Sequence, residues 1–137
     1  MNLTYFTVAY WCVLVAALLP IVCAGIAKRG ALGKSPQEGG FDNHNPRAWL
    51  AGQTGASARA NAAQANTFEA LPFFIGAVVI AHQLGAAQMP LEVLAGVFVL
   101  LRSLYVAMYV TDRAMVRSVV GGCALLVNIG ILFLGYR

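Results

Sequence analysis

Charge is what this chain has least of. Nine Lys and Arg and five Asp and Glu make up 10% of its 137 residues, whereas 60% are hydrophobic; an ordinary soluble domain carries about 25% charge. So little polar material cannot cover the apolar surface, which excludes a soluble globular domain and predicts an integral membrane protein. Cysteine is also scarce. Cys12, Cys23 and Cys123 form no CxxC or metal-ligand spacing and read as small apolar fillers. No segment repeats with a period of roughly 20 to 50 residues, so a solenoid is excluded and one domain, residues 1–137, is expected. No Lys or Arg precedes the first apolar run, and Lys28-Arg29 follows it. That order is the reverse of a secretory signal, so a retained first helix is expected.

What the chain does have is apolar length. Met1 to Ala27 and Ser118 to Tyr136 carry no charge, Ala60 to Leu91 is interrupted only by Glu69, and Val93 to Thr111 only by Arg102. At about 1.5 Å per residue each run can cross about 30 Å of hydrocarbon. The expected fold is all-α, a membrane bundle with helices at about 3–27, 58–84, 91–111 and 116–135 and a connection over 28–57. Lys28, Arg29, Lys34, Arg47 and Arg59 lie in or beside the first connection, Arg113 and Arg117 in the third, and none in the second. The positive-inside rule therefore puts the first and third connections in the cytoplasm and both termini outside; a bacterial inner (plasma) membrane is the expected location. The net charge of +4 is absorbed by this topology and by anionic lipid headgroups, and gives no support for a nucleic-acid partner. Within the first connection Gly30 to Gly40 has turn chemistry, and Asn45-Pro46 followed by Trp49 and Leu50 predicts a short interfacial helix. Asp42, His44 and Asn45 lack a further ligand at useful spacing, so no metal site is expected. His82 is read as snorkelling toward the outer interface.

The informative residues are those that break the apolar pattern. A carboxylate in a bilayer costs about 2.5–3.5 kcal/mol on insertion scales, so Glu69 needs a partner or a wet surface. Helical spacing aligns Arg59, Ala62, Asn66, Glu69 and Phe73 on one stripe, and Arg102, Tyr105 and Tyr109 on another. Glu69 stands ten residues from Arg59 and Arg102 ten from Asp112, so both lie about 15 Å from the same face. Equal depth predicts a Glu69–Arg102 ion pair. Gln64, Asn66, Tyr105 and Tyr109 add hydrogen-bonding groups, and Arg59, Arg113 and Arg117 ring the mouth of a polar funnel suited to an anion that also carries an amine. Pro72 frees the carbonyl of Phe68 beside Glu69.

The Asn66-x-x-Glu69-x-x-Pro72 core, the run Arg102 to Tyr109, and Arg113 with Arg117-Ser118 resemble the MAPEG family of membrane-associated proteins in eicosanoid and glutathione metabolism. The resemblance covers most of the chain. It implies a homotrimer of four-helix protomers that holds glutathione as a co-substrate near the cytoplasmic face, with transferase or peroxidase chemistry on an apolar small molecule arriving through the bilayer. It further implies that Arg59, Asn66, Glu69, Arg102, Tyr105, Tyr109 and Arg113 bind glutathione and that Arg117 and Ser118 are catalytic. Two positions depart from the family pattern: Ala62 stands where members typically carry an arginine four residues before the asparagine, and Tyr105 where some have histidine. The first removes a bidentate carboxylate clamp.

Two other readings remain open. One is a noncatalytic MAPEG-like protein that binds another small anion or a lipid. The other is a small proton-coupled multidrug exporter, which also uses four helices and one membrane carboxylate. The 30-residue first connection and the arginine at the depth of Glu69 speak against the exporter.

Overall fold

Small residues decide how the four long helices meet. The computed structural model describes residues 6–136, with α1 at Val8–Lys28, a short α2 at Pro46–Ala51, α3 at Gly55–Gln83, α4 at Gln88–Val110 and α5 at Ala114–Phe133. All except α2 are long and apolar enough to cross a membrane. The expected start of the first helix, near residue 3, lies outside the described residues; the described part begins at Val8, with Thr7 as its N-cap. The buried face of α1 carries Ala9, Ala16, Cys23 and Ala27, and that of α3 carries Ala60, Ala63, Thr67, Ala77 and Ala81. Side chains this small let helix backbones approach where lipid supplies no hydrophobic driving force between helices. In the middle of the bundle Phe74 and Phe98 stack, with ring centroids 4.1 Å apart.

Short connections make neighbours antiparallel. Gly85 ends α3 at φ 71°, with Ala86 N–H donating to the Ala81 carbonyl (3.0 Å) and Gly85 N–H to that of His82 (3.1 Å). The same motif closes α4, but with an aspartate in the left-handed position. Asp112 has φ 62°, Arg113 N–H reaches the Met108 carbonyl (2.9 Å) and Asp112 N–H that of Tyr109 (3.2 Å). A left-handed non-glycine residue costs roughly 1–2 kcal/mol, less for aspartate. Asp112→Gly should therefore raise stability by about 0.5–1 kcal/mol, read as a higher midpoint in denaturant titration of the detergent-solubilised protein.

Hydroxyls inside the spans fold back on their own helices: Thr67 to the Ala63 carbonyl (2.7 Å) and Ser103 to Val99 (2.8 Å). Such bonds satisfy polar groups where water is absent. At one end of the bundle the Glu92 carboxylate accepts Val8 N–H (3.4 Å) and Gln88 Nε2–H (3.0 Å), and His82 packs against Tyr10. At the other end gather Lys28 and Arg29, the start of α3, and Arg113 and Arg117.

The long first connection folds onto that second end. Lys28 Nζ lies 4.0 Å from the centre of the Phe41 ring, and Phe41 meets Trp49 of α2 edge-on at 5.2 Å. Asn45 precedes α2 as its N-cap and Pro46 opens it. Asp42 accepts the His44 N–H (2.9 Å) and so shapes a turn. Ser35 donates its N–H (3.1 Å) and hydroxyl (2.9 Å) to Glu38, and these bonds hold the Glu38 carboxyl below the usual carboxylate pKa.

Candidate functional site

α3 supplies the floor of a polar region through two adjacent residues, Asn66 and Thr67. Arg102 of α4 is 4% exposed, and its Nη2 donates to Asn66 Oδ1 (3.0 Å) and Thr67 Oγ1 (3.2 Å). The Glu69–Arg102 ion pair expected from depth is not formed. Buried positions on α3 run through Ala60, Ala63, Thr67 and Phe74, and Glu69 is turned off that face and exposed. Depth fixes where a residue sits along the helix axis, whereas at about 100° per residue the rotation decides which neighbour it meets.

From Arg102 a ladder of cations and rings climbs toward the end with the basic connections. The Arg102 guanidinium lies 4.2 Å from the centre of the Tyr105 ring, Tyr105 meets Tyr109 edge-on at 5.7 Å, and the Arg117 guanidinium lies 4.3 Å from the centre of the Tyr109 ring. Tyr105 and Tyr109 are one turn apart on α4, while Arg117 comes from the first turn of α5. Such stacking holds guanidinium groups in place while leaving their N–H edges available. Gly121 allows the close approach of α5, since a Cβ there would come 3.1 Å from Tyr105 Cε2.

These groups line an open cleft of about 380 Å³ bounded by Asn66, Arg102, Tyr105, Tyr109, Arg117, Ser118 and Gly121. Two guanidinium groups and no carboxylate face it, so its field favours an anion. Its size is in the ordinary range for small-ligand sites, about 300–1,000 Å³. Ser118 donates its hydroxyl to the Ala114 carbonyl (3.1 Å), so it offers the cleft an acceptor oxygen.

The structure thus brings together six of the nine residues singled out in the sequence. Glu69 lines a separate, smaller chamber that shares Arg102 and Gly121 with the cleft. Arg59 and Arg113 are not in the cleft lining. Arg59 Nε donates instead to the Val110 carbonyl (3.0 Å) and so closes the last turn of α4. Arg113 is exposed and its backbone takes part in the turn into α5. Sequence reasoning passed over Thr67, Gly121 and Asn128. Asn128 did leave a signal, as a lone amide in an apolar helix.

The alanine at position 62 lies in a third, outward-facing groove of about 540 Å³, with Arg47 of α2, Asn61, Gln64 and Phe68 among its walls. A guanidinium is therefore present beside the position that lacks one, contributed by the first connection rather than by α3.

Residues 8–136 match the model of the MAPEG family, which is nearly the whole chain. No curated protein matches the sequence, and no solved structure does. The motif core around Asn66, Glu69 and Pro72, the four spans and the extent of the match agree: the chain is a multi-pass membrane protein that belongs to the MAPEG family.

Proposed function

We propose that this protein binds glutathione in the Arg102–Arg117 cleft and conjugates it, through its thiolate sulfur, to an apolar electrophile that enters from the bilayer. The observation that carries this reading is the cleft itself: two guanidinium groups seated on tyrosine rings, with no carboxylate among the lining residues. An anionic peptide thiol matches that field. Its carboxylate takes charge-assisted hydrogen bonds from Arg102, its amides bond Asn66 and the Ser118 oxygen, and its thiol lies against Arg117. A free thiol has a pKa of about 8.5, and a neighbouring guanidinium lowers it. The released proton passes to water, the thiolate forms the new S–C bond, and the electrophile's leaving group departs with its electron pair.

The exposed Glu69 supports an assembly. A lipid-facing carboxylate is costly, and the stripe leading to it, Ala58, Ala62 and Ala65, is small enough for another helix to lie against. A homotrimer with α3 inside would cover Glu69 and bring it to the amine of a glutathione held at a neighbouring copy. In this arrangement the basic connections face the cytoplasm, where glutathione is plentiful, and Arg47 takes over the carboxylate contact that Ala62 cannot make.

Calorimetric titration of the detergent-purified protein with glutathione should show saturable binding at or below millimolar concentration, followed by conjugation of an apolar aryl halide. Absence of saturation sinks the glutathione reading and leaves the family assignment. Binding without conjugation favours a noncatalytic anion-binding member. Arg47→Ala should raise KM for glutathione about 2–5-fold with kcat unchanged, the size expected for one exposed charge contact; an unchanged KM would remove Arg47 from the site.

A further inference from the structure

α5 carries Gly121, Gly122 and Gly130 inside its helix, and glycine is a poor helix former, so each calls for a packing reason. Among the described residues only Gly121 has a strong one. A Cβ on Gly122 would meet nothing within 4 Å, and one on Gly130 would touch Leu94 Cδ1 at an ordinary 3.9 Å. On Gly121 it would lie 3.1 Å from Cε2 and 3.3 Å from Cδ2 of Tyr105. Both distances fall short of the roughly 3.5–4.0 Å at which two carbons rest.

The tyrosine ring has little room to turn away. Tyr105 is 8% exposed, its face carries the Arg102 guanidinium at 4.2 Å, and Tyr109 meets it edge-on at 5.7 Å. Pressure on the Cε2–Cδ2 edge would therefore slide or tilt the ring beneath Arg102. Among the described residues that guanidinium is hydrogen-bonded through Nη2 alone, to Asn66 (3.0 Å) and Thr67 (3.2 Å), so the ring fixes the rest of it. Gly121 and Arg117 are four residues apart and share a face of α5, as Tyr105 and Tyr109 share one of α4. Two rungs thus join the helices, Arg117 on Tyr109 and Gly121 on Tyr105. The first holds the group placed beside the thiol, and the second supports the group placed at the carboxylate.

We infer that Gly121 is a positioning residue of the cleft: by keeping α5 bare where Tyr105 lies, it sets the place of the Arg102 guanidinium and so how well the cleft holds the carboxylate of its peptide thiol. This rests on the proposed function and assigns recognition and chemistry to different rungs. A methyl group at position 121 weakens carboxylate binding and leaves sulfur ionisation, which belongs to Arg117, untouched.

The test compares Gly121→Ala with Gly122→Ala in the full chain in detergent, since both gain the same helix propensity and only the first meets a ring. Gly121→Ala should raise KM for glutathione about 3–10-fold with kcat and its pH profile unchanged, because a shift of a few tenths of an ångström costs less than the roughly 100-fold of a 1 Å misplacement. Gly122→Ala should leave both constants within about twofold. Tyr105→His puts a smaller ring opposite position 121, so adding Gly121→Ala to it should change KM by no more than about twofold. The same KM rise with and without the histidine overturns the proposal, as does a loss of kcat at unchanged KM. If Gly121→Ala alone does not fold, the two histidine variants decide, and a double variant that also fails to fold overturns it. The Arg102 Nε–H is closed to solvent and gives a readout that needs no glutathione. Its NMR signal carries the ring-current shift of Tyr105 and should move in Gly121→Ala but not in Gly122→Ala. Movement in a protein that ignores glutathione would keep the positioning role and remove the proposed function. Glutathione binding with an unmoved signal would leave the proposed function standing without Gly121.

Discussion

Replacing Arg117 by leucine should cut turnover with glutathione by about 30-fold at pH 7, and the deficit should shrink as the pH rises and vanish above about pH 9. Both numbers follow from ionisation. A thiol of pKa about 8.5 is roughly 3% thiolate at pH 7, whereas one held by a guanidinium below about pH 6 is almost fully ionised. The direction follows from the same chemistry: Arg117 favours the charged form, so its loss hurts where the free thiol is protonated and is harmless where it ionises unaided. Arg117 stacks on Tyr109 at 4.3 Å and lines the cleft, so its guanidinium can reach a ligand while its plane stays fixed. The check is kcat/KM against pH for Arg117→Leu beside the unsubstituted protein. A deficit that stays constant across pH would mean that Arg117 only binds the peptide and does not ionise its sulfur.

The second large effect concerns stability. Asn66→Leu should destabilise the protein by roughly 1.5–3 kcal/mol, the range for a hydrogen bond to a charged group, because it leaves the buried Arg102 one acceptor short. Arg102→Leu should cost less. It removes the donors together with the charge that had to be desolvated, and Thr67 keeps its bond to the Ala63 carbonyl at 2.7 Å. The double variant should therefore recover part of the sum, with a coupling of about 1–2 kcal/mol in denaturant titrations of the solubilised protein. Glu69→Gln combined with Arg102→Leu should be additive to within about 0.5 kcal/mol. Coupling in the second cycle and none in the first would restore the ion pair expected from depth.

That contrast marks where the sequence was readable and where it was not. The four spans were legible because run length is a one-dimensional property and the bilayer sets its scale. The ladder on α4 was legible too: Arg102, Tyr105 and Tyr109 follow one another at about one turn each, so spacing alone places them on one face. The partner of Arg102 was not, since it depends on how α3 is rotated about its axis, and that rotation is set by Ala60, Ala63, Thr67 and Phe74 packing inward. Arg59 misled for a different reason. Its charge and its place near the mouth fitted a ligand contact, but the carbonyl of Val110 that it serves belongs to the backbone of another helix, 51 residues away. Backbone acceptors carry no sequence signature. Arg47 was set aside as a topological charge, and its place beside Ala62 emerged only once the first connection had folded over α3.

The Arg59 hydrogen bond has a practical consequence for experiments. It ties the start of α3 to the end of α4, three residues before Arg113, and α5 with Arg117 begins immediately after that turn. Loosening this tie would let the arginine of α5 drift relative to Asn66 without removing any group that touches a ligand. In a mutational screen scored by activity, Arg59 would then be indistinguishable from a ligand contact. It would separate from one only under rescue conditions, since saturating ligand restores a lost contact but leaves a displaced helix end where it is.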